Sequence, residues 1–385
     1  MRVANASTSR SLLVLTNSYP DFEGKSYGGS FVKGQIDELK NYFNEVYVIS
    51  PQPLGKNRFL RDYSYDNVHI YYPRFFHAPI EFFRKKLGEN FYKAALRVIN
   101  QKGLDFDLIH AHFTWPSGYA GVKLSKEFEV PVVVTIHENR EWFLEEYNSK
   151  NEKIYWTWRN ANALIRVNRK DVPLLREFNP NVYSIPNGFN PNRLFVMPKD
   201  KAREKLGIPL EKKVLFSLGN LIERKGFQYL IEAMKTIVKY RDDTICFIGG
   251  RGPLKKKLQK QVEKYNLENY VKLLGAIPDE KLALWMNAAD LFVLSSLSES
   301  FGLVVLEALA VGTPAVATIN GGSEEVITSE DYGLLCEPGN VDDLAEKILI
   351  ALNKEWNREK IRKYAEQFTW RNIVKQILEV YRGVW

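Results

Sequence analysis

Cysteine is nearly missing from this chain of 385 residues: Cys246 and Cys336 are the only two, and they lie far apart. That excludes a disulfide framework and a thiolate zinc site, and it points to a reducing compartment with both thiols as small core residues. Long apolar runs are missing too. Nothing approaches the roughly 18 to 20 residues that cross a bilayer, and the opening MRVANASTSR leads directly into a strand-like LLVLT. Neither a membrane span nor a secretory signal is read, and the expected location is cytoplasmic. No GxGxxG opens a helix after a strand, so a nicotinamide enzyme has no support. No repeat with a period of about 20 to 50 residues is present.

The composition is that of a folded protein, with 45% hydrophobic and 26% charged residues, 24 Gly and 17 Pro. Disordered and collagen-like classes are excluded. At about 150 residues per domain the length asks for two domains. Lys and Arg outnumber Asp and Glu by 54 to 46, a net charge of +8. Such a balance favours anionic partners: nucleic acid, phosphorylated substrates or an acidic membrane surface.

Short β-branched runs alternate with helix-length segments throughout, the pattern of parallel sheets with crossover helices. Strands are expected at residues 12–16, 46–50, 108–112, 131–136, 163–168 and 182–185, then at 213–219, 244–249, 270–274, 290–294, 314–318 and 333–335. The expected class is α/β, with two doubly wound parallel-sheet domains facing across a cleft. Asn187-Gly188 and the following Pro191 form a break, which divides the chain into residues 1–188 and 189–367. The last segment, 368–385, carries Ile373, Ile377, Val380 and Tyr381 at helical spacing.

Ligands of open α/β sheets bind beyond the carboxyl ends of the strands, and a cleft between domains is the usual place. The strongest local signal is SESFGLVVLEALAVGTPAVAT. It sets Ser300, Phe301 and Gly302 at a turn, Glu299 before a helix and Glu307 within it. The helix N-terminus, with Leu303 and Val304, offers backbone amides to a phosphate or a sugar hydroxyl, and the two glutamates can accept hydroxyl donors. As an alternative, Glu299 is a helix-entry acid favoured by the helix dipole and Glu307 a solvated helix residue. Placed eight residues apart on one helix, the pair would span about 12 Å, too far for the carboxylate pair of a glycosidase.

In GNLIERKGFQYLIEAM, Arg224 and Lys225 stand beside Gly226 at a strand's carboxyl end, where cations would meet a diphosphate. Solvated loop cations are the other reading. Gly28 and Gly29, after the first strand, allow close approach of backbone to a ligand or simply a tight turn. They are not a P-loop, since no Gly-Lys-Ser/Thr follows them. His137 ends the strand-like VVVTIH and is either a structural histidine or a catalytic or sugar-contacting one. Asp105 and Asp107 precede a strand and so lie at the wrong edge for a metal site; no metal ligand set is assigned.

Taken together these segments resemble the group 1 (family 4) retaining glycosyltransferases of the GT-B fold. The carrying motifs are ESFGLVVLE, GNLIERKG, FIGGRGP, LLGAIP, VGTPAVAT, NGGSEEVI and IPNGFN, in that family's kind of order and over nearly the whole chain. The resemblance implies metal-independent, cofactor-free hexosyl transfer from a UDP-, GDP- or ADP-sugar with retention of configuration. It implies Lys225 on the diphosphate, Glu307 on the ribose, and Glu299 with the amides of Phe301, Gly302 and Leu303 on the transferred sugar. Gly28 and Gly29 would close over the phosphates and His137 would contact the sugar. Asn220, Ser300, Val304 and Ile277 complete the expected donor site. Where the family often has Arg after the glycine this chain has Asn220, with Arg224 available to compensate. Asn190 stands where an Asp is frequent. The final helix, 368–385, is implied to pack back on the first domain.

The acceptor is implied to be a hydroxyl of a glycan, a lipid-linked saccharide or a small molecule, met by the first domain. Residues 56–102 hold ten Lys or Arg against four Asp or Glu, and eleven Phe or Tyr. Arg84, Lys85 and Lys86 sit in this stretch, which could lie peripherally on the inner face of an anionic membrane. The alternative is a core helix with a solvated basic face. Two rival functions stay open: a sugar-nucleotide epimerase of the same fold, and a basic nucleic-acid binder. Nucleic-acid binding would not gather glycine turns, Lys225 and Glu299 at strand ends, and no nucleic-acid partner is expected.

Overall fold

The computed structural model describes residues 10–23, 28–54, 60–76 and 81–385, without the side chains of 81–85. The chain divides into two compact units, Met1–Gly188 with Trp370–Trp385, and Phe189–Thr369.

The first unit holds β1 (Ser11–Thr16), β2 (Glu45–Ile49), β3 (Gln52–Pro53), β4 (Tyr63–Tyr65), β5 (Val68–Tyr71), β6 (Arg74–Phe75), β7 (Leu108–His112), β8 (Val132–Ile136), β9 (Ala163–Arg166) and β10 (Val182–Ser184). Eight of them form one sheet in the order β10-β9-β8-β7-β1-β2-β5-β4, while β3 pairs with β6. The central strands are buried on both faces: every residue of β7, β8 and β9 is buried. That is why they read as near-continuous apolar runs and not as alternation. Among the described residues only β4 and β5 pair antiparallel. Their two-residue turn places Asp66 at φ 48, a left-handed position that Asp tolerates. The last helix, Trp370–Val384, buries Ile373, Val374, Ile377, Leu378, Val380 and Tyr381. Tyr381 reaches the sheet, its hydroxyl 2.6 Å from Nδ1 of the buried His110.

The second unit holds β11 (Lys213–Leu218), β12 (Thr244–Gly249), β13 (Val271–Gly275), β14 (Leu291–Leu294), β15 (Ala315–Thr318) and β16 (Gly333–Cys336). All six run parallel, in the order β13-β12-β11-β14-β15-β16. This is the doubly wound arrangement in which the chain's direction of travel reverses between β11 and β14, opening a crevice at their carboxyl ends. The helix Phe227–Tyr240 shows how the sequence supplies the layers: Leu230, Ile231, Met234 and Ile237 recur at helical spacing and are all buried. Burial pushes the thiols of Cys246 and Cys336 up to about 12, as suits inert packing residues. Phe189 and Thr369, the two ends of this unit, are bridged in parallel.

In the first unit an equivalent reversal falls between β1 and β7, so the loops after these two strands occupy the corresponding position.

Candidate functional site

The two loops at the switch point of the second unit are stitched together by backbone. After β11 the chain makes a short turn, Glu223–Lys225, that ends at Gly226 with φ 65. A Cβ on Gly226 would lie 1.9 Å from the carbonyl oxygen of Ser295, just past β14. Only glycine lets the strands' loops come so close. The Leu297 amide donates to the Arg224 carbonyl at 2.8 Å, and the Ser295 hydroxyl to the Lys225 carbonyl at 3.2 Å.

This scaffold aims two cations at one carboxylate. Lys225 Nζ lies 2.5 Å from Glu299 Oε1, and an Arg224 guanidinium nitrogen lies 3.5 Å from Oε2 while also donating to the Ser298 carbonyl. The Lys225 and Glu299 side chains are 13% and 12% exposed, so the pair is poorly screened. Burial works to raise the Glu299 carboxyl, but Lys225 and Arg224 outweigh it and hold it below the usual carboxylate range.

Glu299 is not on the following helix. That helix spans Leu303–Ala310 and starts at Gly302, whose φ of 77 turns the chain without a side-chain cap. Glu299 thus precedes the helix and Glu307 lies within it, as expected, so the helical rise that was used to set the pair about 12 Å apart does not apply to them. The first amide that bonds back is Val305, to the Gly302 carbonyl at 2.9 Å. The amides ahead of it, from Phe301 to Val304, belong to the open positive end of the helix. A third loop supports them: Asn320 accepts from the amides of Gly322 and Ser323 at 3.1 and 2.9 Å. A Cβ on Gly322 would meet the Phe301 nitrogen at 2.5 Å.

Glu307 sits within the helix and is buried, which corrects the alternative of a solvated residue. Burial raises its carboxyl above the usual range against the pull of Arg193, whose guanidinium lies 2.5 Å from Oε1. Ile277, half-buried after β13, packs where a Cβ on Gly249 would stand, 2.6 Å away. Asn220 is exposed.

At the switch point of the first unit, Gly29 has φ 78 and a Cβ there would lie 2.1 Å from the Ser18 carbonyl oxygen. Gly28 is exposed beside it. The helix that follows, Ser30–Leu39, brings Phe31 to 4.6 Å from the His137 ring. His137 therefore stands against the glycine loop's own helix. Its Nε2 is 3.0 Å from Nδ1 of His112, while His137 Nδ1 and His112 Nε2 are buried without a hydrogen-bond partner. Burial drives both imidazoles well below the usual range, so both are neutral. Next to them Arg166 and Asp171, both fully buried, pair at 2.7 Å. Asp107 accepts from the Ser11 amide at 2.7 Å, a strand-start contact. Among the described residues no group of three or more His, Cys, Asp or Glu is placed to hold a metal.

Comparisons with known proteins show the family. A family model described as "Glycosyl transferases group 1" matches residues 198–368, and "Glycosyltransferase Family 4" matches residues 30–193. The D-inositol 3-phosphate glycosyltransferase of Corynebacterium urealyticum is 30% identical over 319 residues, 76% of this chain and 74% of that protein. The chain is a group 1 glycosyltransferase. The fold of this glycosyltransferase is GT-B. The solved structure of sucrose-phosphate synthase from Thermosynechococcus elongatus has a TM-score of 0.80 at 24% identity, covering 97% of this chain and 99% of that one. Anabaena HepE in complex with UDP-glucose has a TM-score of 0.75 at 21% identity, covering 97% and 100%.

In the glycosyltransferase, sequence reasoning missed Arg193, His110, His112 and Arg166. The alternation of His110 and His112 on one strand face was a usable signal: their rings stack 4.4 Å apart. The basic, aromatic stretch 56–102 is described only in part; residues 56–59, 77–80 and the side chains of Arg84 and Lys85 lie outside the described residues. In its helix, Glu81–Lys102, Phe91, Ala94, Ala95, Val98 and Ile99 join the core while Lys86, Lys93 and Arg97 face outward. Among the described residues no helix is long and apolar enough to cross a membrane.

Proposed function

We propose that this glycosyltransferase transfers a hexosyl group from a nucleoside-diphosphate sugar to a hydroxyl acceptor, with retention of configuration and without a metal. The observation that carries the reading is the Lys225–Glu299 pair beside the open end of the helix Leu303–Ala310, at the switch point of the second unit.

Cleavage of the donor leaves negative charge on the departing diphosphate. Preorganised positive groups in a poorly hydrated site lower that barrier most effectively. Lys225, Arg224 and the amides of Phe301, Gly302, Leu303 and Val304 form such a set. Lys225 pairs with Glu299. A diphosphate that takes over Lys225 releases Glu299 to accept the hydroxyls of the transferred sugar, so donor binding itself readies the carboxylate. Glu307 receives the ribose hydroxyls, with Ser300, Asn220 and Ile277 around the nucleotide. In the first unit, Gly28 and Gly29 leave their backbone open to close approach by a ligand. His137, kept neutral by burial, meets a sugar hydroxyl as a hydrogen-bond partner without bringing a charge.

UDP-glucose in the HepE structure supports a nucleotide-sugar donor, and the relative named for D-inositol 3-phosphate supports a hydroxyl-bearing acceptor. The exposed Lys86, Lys93 and Arg97 suit an anionic acceptor, including one presented at an acidic lipid surface.

The test is the anomeric proton coupling of the product, followed by NMR from a donor of known configuration in the presence of EDTA. Retained configuration with undiminished rate is expected. Inversion, or loss of activity in EDTA, contradicts the mechanism.

A further inference from the structure

Glu307 is a buried carboxylate in mid-helix, a placement that is strongly unfavourable unless a cation answers it. Its side chain is 7% exposed, and the answering group is Arg193. Arg193 comes from the segment just after the break between the units, and the local sequence holds it there. Asn190 accepts from the Asn192 amide at 2.9 Å through its side chain. Its carbonyl accepts from the amides of Arg193 and Leu194 at 3.1 and 3.2 Å. Leu194, 2% exposed, anchors this turn in the core.

The guanidinium is gripped from two sides. Nε lies 2.6 Å from Asp279 Oδ1, at the start of the helix Asp279–Ala288, and a terminal nitrogen lies 2.5 Å from Glu307 Oε1. Asp279 is 55% exposed and Glu307 nearly buried, so Arg193 spans from solvent to the helix interior. A planar fork held by one acid presents a fixed direction to the other, which a lysine ammonium does not.

We propose that Arg193, itself oriented by Asp279, is the positioning residue for Glu307: it holds Oε1 and leaves Oε2 turned toward the ribose hydroxyls of the donor. This rests on the reading of Glu307 as the ribose-binding carboxylate. Arg193 touches no reacting atom; it acts through Glu307 and sets how strongly the site distinguishes a ribonucleotide from one lacking ribose hydroxyls.

The experiment compares binding of UDP, GDP and ADP with their 2′,3′-dideoxy counterparts by calorimetry, using the full chain. The wild type prefers one ribonucleotide over its dideoxy form by about tenfold, the size of a charge-assisted hydrogen bond. Arg193→Ala abolishes most of that preference while leaving the dideoxy affinity unchanged, and Arg193→Lys restores part of it. A merely structural role would weaken both ligands alike and keep the ratio, which overturns the proposal. Asp279→Asn, a change at an exposed residue, reduces the preference in the same direction and decides the matter if Arg193→Ala fails to fold; an unchanged ratio in Asp279→Asn then overturns it. Glu307→Gln is expected to lose the preference as Arg193→Ala does, and comparing the two separates the ribose reading from the role of Arg193. No preference in the wild type sinks the ribose reading itself. A preference lost in Glu307→Gln but kept in Arg193→Ala sinks only the role of Arg193.

Discussion

Lys225 and Glu299 illustrate how a site stores its own ligand contacts. Each buried charge is satisfied by the other, and exchange with a diphosphate and a sugar hydroxyl replaces one compensated arrangement by another. Two outcomes follow from this exchange. Glu299→Gln lowers turnover by about two orders of magnitude or more, the scale of losing one aligned transition-state interaction, while the dissociation constant for the free nucleoside diphosphate stays level or falls, because Lys225 is freed; steady-state kinetics with calorimetry reads both, and a matching loss of nucleotide affinity would place Glu299 on the nucleotide. The same carboxyl gives a pH signature. Its folded value lies below the unfolded one of about 4.3, so the pairing stabilises the fold above that pH and is lost as pH falls through the folded value. Denaturant unfolding across pH 3 to 7 (about the window set by the unfolded carboxyl) should show the wild type's advantage over Glu299→Gln narrowing on acidification. An advantage that grows toward low pH would contradict the pairing.

At the scale of elements, the site depends on loops that approach within van der Waals contact of one another. Gly226→Ala puts a methyl 1.9 Å from a backbone carbonyl and holds a non-glycine residue at φ 65. The loops after β11 and β14 must part, so the variant loses nucleotide binding together with stability, by about 2 kcal/mol or more; a thermal midpoint and nucleotide affinity both unchanged would show that the stitching is dispensable. In the first unit the buried Arg166–Asp171 pair ties β9 to the turn after it. Asp171→Ala leaves a guanidinium unanswered in the core and costs about 3 to 5 kcal/mol, measurable by urea unfolding.

Much of this level was legible in the sequence. Central parallel strands, buried on both faces, write themselves as apolar runs, which is why Leu108–His112 and Thr244–Gly249 coincide with expectation. The β4–β5 hairpin was not legible, because YSYDNVHI mixes tyrosines with polar residues on an edge that buries only one side. The glycine loops and Lys225 could be located because strand–turn–helix order places them at one sheet edge. Arg193 could not, since its meaning comes from Glu307, which lies more than a hundred positions away and meets it only through the fold. The histidine pair was half legible: His137 directly follows its strand, but His112 becomes its partner only through the pairing of β7 with β8.

At the scale of the molecule, each unit has a left-handed glycine in the loop where its own sheet reverses direction, Gly29 after β1 in one and Gly226 after β11 in the other. The formal charge of +8 raises the local concentration of anionic ligands around a molecule organised in this way. It does not select among them; the selection lies with Lys225, Glu299, Glu307 and the helix end. The central claim is that this group of residues binds a nucleotide sugar, and a thermal-shift panel of UDP-, GDP- and ADP-sugars on the wild type and on Lys225→Ala tests it most directly. Ligand that binds only the native state raises the midpoint by mass action. One nucleotide class should stabilise the wild type, and Lys225→Ala should need about 10 to 100 times more of it for the same shift, the scale of a lost charge-assisted contact. A wild type indifferent to every nucleotide sugar, or a Lys225→Ala variant that responds to them as strongly as the wild type, would contradict the account.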